Sequence, residues 1–88
     1  MKKYTFVIEY KKGTYICQYR ASNLLEALNL WRTNLDRNIY TEKDIHQIHK
    51  EINDNDYFPT PIESVDNIWC CTFLSGRSFL LLNIVETV

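Results

Sequence analysis

A chain of 88 residues holds one domain, because two hydrophobic cores of half that size would each bury too little surface. Its 45% apolar and 24% charged residues exclude a disordered chain. A net charge of −1 argues against a duplex nucleic-acid binder, which needs a basic surplus to displace counterions.

The first element is a β-hairpin, 4–20. Tyr4–Tyr10 and Thr14–Arg20 alternate apolar and polar residues on either side of Gly13. A two-residue turn at Lys12-Gly13 pairs Tyr10 with Tyr15, Ile8 with Cys17 and Phe6 with Tyr19, while a three-residue loop shifts the pairing by one. Tyr4, Phe6, Ile8, Tyr10, Tyr15, Cys17 and Tyr19 share one face, which is expected to meet helices. Thr5, Val7, Glu9, Ile16, Gln18 and Arg20 share the other.

Asn23 and Glu26 have the spacing of a capping box, and a helix is expected over 24–36. At 100° per residue Leu24, Ala27, Leu28, Trp31 and Leu35 form its apolar stripe. Thr41 can cap a second, shorter helix over 42–52, with Glu42 and Asp44 in its first turn and Ile45, Ile48 and Ile52 along one edge. Pro59 and Pro61 bar a helix from the segment that follows, so 53–64 reads as a loop. The second hairpin, 68–86, turns at Gly76-Arg77. It puts Trp69, Cys71, Phe73, Leu80, Leu82 and Ile84 on one face and Ile68, Cys70, Thr72, Leu74, Phe79, Leu81, Asn83 and Val85 on the other. Both faces are largely apolar, as in a strand covered on two sides.

Few residues suggest chemistry. His46 and His49, at i and i+3, could share a metal with Asp44, Glu42 or a cysteine, but their mixed surface suits solvated histidines. Asn53-Asp54-Asn55-Asp56 opens like a calcium loop, yet Pro59 and Val65 stand where the glycine and the glutamate belong. Cys17, Cys70 and Cys71 show no CxxC spacing, and adjacent strand residues point to opposite faces, so free thiols in a reducing compartment are expected. Embedded among aromatics, these thiols make poor nucleophiles. Gly13 and Gly76 are the only glycines, which excludes a phosphate-cradling loop. The expectation is therefore no enzyme, no metal, no cofactor and no small-molecule ligand. No stretch approaches the roughly 18 apolar residues of a membrane helix, and the start does not read as a leader, so the expected location is cytoplasmic.

Gly13–Ile16 with Ala21–Leu28 resembles the hairpin-to-helix start of HicB-type antitoxin domains over less than a third of the chain. The glycine-bearing loop of that family is missing, and no function is taken from it.

The sequence thus predicts an α+β fold, β-β-α-α-β-β, with a four-stranded antiparallel sheet and two helices packed on one face. Two helices cannot cover both faces of such a sheet. The expected function is a small non-catalytic protein-interaction module, of bacterial type, self-associating through the exposed sheet face as a homodimer or binding another protein. Ile68, Leu74, Phe79, Leu81 and Val85 are the interface candidates. The alternative is single-stranded nucleic-acid binding through the first hairpin, where Lys3, Lys11, Lys12 and Arg20 accompany tyrosines on which bases could stack.

Overall fold

The structure, a computed structural model, describes residues 1–52, 59–75 and 78–87. Its elements are β1 (Lys2–Tyr10), β2 (Gly13–Ala21), α1 (Leu24–Thr33), α2 (Glu42–Ile52), β3 (Thr60–Pro61), β4 (Ile68–Ser75) and β5 (Ser78–Thr87). All strands pair antiparallel, in the order β2-β1-β5-β4-β3. The fold is α+β as expected, but the sheet has five strands, not four. The added strand lies in the segment expected to be a loop: Thr60 pairs with Cys70 and Pro61 with Trp69. Two residues, one of them proline, carry no alternation that a sequence reading could detect.

The first hairpin also turns elsewhere than expected. Tyr10 pairs with Gly13, Ile8 with Tyr15 and Phe6 with Cys17, so the turn is Lys11-Lys12 and the pairing is offset by two residues. Both turn residues are left-handed, with φ of 47° and 67°, as a type I′ turn requires. Gly13 instead makes room above itself: a Cβ there would stand 2.7 Å from the Tyr15 hydroxyl. An offset of two keeps every side chain on its expected face. The second hairpin pairs Leu74 with Phe79 and Phe73 with Leu80, in the expected register.

Asn23 caps α1, its side chain accepting from the Glu26 N–H at 2.8 Å. The Glu26 carboxylate reaches back to the N–H of Ser22, one residue before the cap. The helix ends at Thr33, three residues short of expectation. There the Thr33 hydroxyl donates to the Asn29 carbonyl and the Asn34 amide to the Leu30 carbonyl, so side chains take over the helix's last acceptors. In α2, which has its expected bounds, the Asp44 N–H donates to the Thr41 hydroxyl.

Both helices lie on the face expected to meet them. Leu24, Ala27, Leu28 and Trp31 of α1 are buried against Tyr4, Phe6, Ile8 and Tyr10 of β1, together with Phe73, Leu80, Leu82 and Ile84 of the second hairpin. Trp31 stacks on Phe6 at 5.8 Å between centroids and tilts against Phe73 at 6.0 Å, so one side chain bridges β1 and β4. α2 packs mainly on β4 and brings Ile48 into the same core. No described helix is long and apolar enough to cross a membrane.

Candidate functional site

With both helices on the inner face, the outer face of the sheet is left without a covering element among the described residues. The strand order decides which side chains meet there. One row runs Phe79–Leu74, the next Thr14–Glu9–Leu81–Thr72, the next Ile16–Val7–Asn83–Cys70, and a fourth Gln18–Thr5–Val85–Ile68. Directly opposed side chains in such rows lie about 4.5–5.5 Å apart at Cβ. Leu74 and Phe79 are 61% and 50% exposed, and Ile16 is 66% exposed. Ile68, Leu81 and Val85 are half-buried by their row neighbours.

The five interface candidates therefore share one face, along β4 and β5, with Asn83 and Cys70 between the two ends of the stripe. Val7 and Ile16 join them and were not among the candidates. In the sequence they sit in an alternating hairpin whose second face looks polar. Only the placement of β1 beside β5 brings Val7 opposite Asn83 and extends the apolar surface across the sheet.

The basic residues fall differently. Lys3 and Arg20 pair across β1 and β2 at one end of the outer face, whereas Lys11 and Lys12 form the turn at the other end of the hairpin. The Lys11 ammonium stands 3.8 Å from the Asp44 carboxylate, which also accepts the Tyr10 hydroxyl and is only 5% exposed. That cluster fastens the end of β1 to the first turn of α2. The hollow beside it measures about 10 Å³, room for a single water. Tyr4 and Tyr10 are buried on the inner face, so the rings that would stack bases lie on the opposite side of the sheet from Lys3 and Arg20. Tyr4 donates to Glu86 at 2.8 Å, and burial, with that carboxylate's help, pushes its hydroxyl up to about 12.

The other chemistry-bearing residues stand apart. His46 is exposed, while a His49 ring nitrogen lies 2.8 Å from the Arg32 carbonyl and so links α2 to α1. No group of three or more potential metal ligands occurs among the described residues. Cys71 is buried and Cys17 and Cys70 are half-buried, none of them in a disulfide; burial raises Cys17, against the smaller lowering effect of its hydrogen bond with Tyr19. The calcium-loop look-alike at 53–56 lies outside the described residues. No protein-family model, curated protein or solved structure matches the chain.

Proposed function

We propose that this chain is a non-catalytic protein-interaction module that associates with a second copy of itself through the open face of its sheet. The observation that supports this reading is the apolar surface of Leu74, Phe79, Leu81, Val7 and Ile16 on a face that the two helices leave bare. An antiparallel sheet tolerates one wet face when that face is polar. Here the wet face carries large aliphatic and aromatic groups, the composition of an interface centre. A twofold contact buries the same patch on both copies at once.

Sedimentation across a concentration series tests the reading. A reversible dimer is expected for the native chain, and Leu74→Lys with Phe79→Glu should shift it to monomer. Because both residues are at least half exposed in the single chain, the double variant should change unfolding by less than about 1 kcal/mol. A native chain that stays monomeric at the highest concentration would sink the proposal.

A further inference from the structure

The sheet has two edges, and they are built differently. β3 ends one side with two residues, one a proline, which blunts it. β2 ends the other with nine residues paired, among the described residues, to β1 alone, and its Thr14–Tyr19 stretch contains neither a charge nor a proline. A two-residue turn closes on a hydrogen-bonded pair, here Tyr10 and Gly13. Counting from that pair, Tyr15, Cys17 and Tyr19 direct their N–H and C=O groups to β1. Thr14, Ile16, Gln18 and Arg20 direct theirs outward. Among the described residues no other backbone group bonds to these four.

Below this edge, on the helix side, runs an open groove of about 330 Å³ between β2 and the segment after α1, lined by Tyr15, Cys17, Tyr19, Leu35, Ile39 and Tyr40. A row of free backbone donors and acceptors at strand spacing is complementary to one ligand shape, another extended backbone. Side chains of a strand laid there would alternate, one set lying beside Thr14, Ile16 and Gln18 and the other entering the groove.

Charge then decides which strand. Lys12 stands at one end of the edge, and Arg20 with Lys3 at the other, where they line a surface hollow of about 290 Å³ with Gln18. None of these three cations has an ion-pair partner among the described residues. A second copy of β2 fits poorly. Antiparallel self-pairing centred on Ile16 sets Arg20 opposite Lys12 of the other copy, and centring on Cys17 sets them diagonal, so like charges meet at both ends. We infer that β2 docks an extended segment of a different protein, apolar at alternate positions and acidic at its two ends, which adds a sixth strand to the sheet. This edge meets the outer face at Ile16, but the docking uses the outward backbone groups of β2 and does not depend on self-association through that face.

Selection from a random peptide library displayed on phage, against the full chain, tests this directly. Enriched sequences should alternate apolar and polar residues between acidic ends. Labelled synthetic copies should slow amide exchange at Ile16 and Gln18. Ile16→Pro removes an outward N–H and no bond to β1, so it should weaken binding about tenfold with the melting temperature little changed. Should that variant misfold, the charge reversal Lys12→Glu with Arg20→Glu replaces it and should favour basic-ended peptides instead. Val65→Lys, exposed in the segment between β3 and β4, should leave peptide affinity unchanged. The inference is overturned if no sequence is enriched, if the enriched peptides bind these β2 variants as well as the native chain, or if a labelled single-stranded oligonucleotide binds where peptides do not.

Discussion

At the scale of single residues, Trp31 carries more of the fold than any other side chain of α1. Its ring meets Phe6 and Phe73 on strands separated in the sheet by β5. It is only 2% exposed, so truncating it removes a large buried ring and leaves a cavity between the two strands. Trp31→Ala is expected to cost about 3–5 kcal/mol in urea unfolding; a loss under about 1 kcal/mol would show that α1 is held by something else. Asn23 acts on a smaller scale, and Asn23→Ala should cost about 1 kcal/mol through the lost cap alone. Both residues stand out in the sequence, one by its place on a helical stripe and one by its spacing from Glu26. The buried Asp44 does not: an acid in a helix's first turn reads as a solvated dipole partner, and only the fold brings Tyr10 and Lys11 to it.

At the scale of elements, the turn of the first hairpin has a measurable consequence. Lys12 holds a φ of 67°, a conformation that disfavours residues bearing a Cβ. Lys12→Gly should raise stability by up to about 1 kcal/mol, relief of strain exceeding the entropy that glycine adds to the unfolded chain. A fall in the thermal midpoint would contradict this account of the turn. The expected turn fell one residue late because Gly13 is the stronger turn former by local chemistry, whereas the structure uses Gly13 to leave space for the ring of Tyr15 two residues along the same strand. The end of α1 escaped for a similar reason. Leu35 continues the apolar stripe, but Thr33 and Asn34 cap the carbonyls before it. β3 was invisible because its pairing is defined by β4 alone.

At the scale of the whole molecule, the aromatic core makes stability depend on alkaline pH. Burial, and then Glu86, raise the Tyr4 hydroxyl from 10.0 to about 12. Burial is likewise the largest cause of the upward shifts of Tyr40, Tyr19 and Cys17. These groups are neutral in the folded chain at a pH where the unfolded chain has begun to lose their protons. Their contribution is therefore complete below about pH 9 and declines as pH rises through the range from 9 to 12. Urea midpoints should fall across that range, and Tyr4→Phe should flatten the decline; midpoints that stay level to pH 11 would refute this.

Which side chains of the two hairpins and of α1 face inward was determined by the sequence alone. Periods of two and of 3.6 residues follow from the local backbone, and a register error of two leaves them intact. The order of the strands was decided only by the tertiary structure. Ladder hydrogen bonds join backbone groups that every residue possesses, so nothing in Val7 or Asn83 announces that they face each other. Among the described residues that order leaves one apolar face bare and one long edge unpaired, and both proposed binding surfaces arise from it.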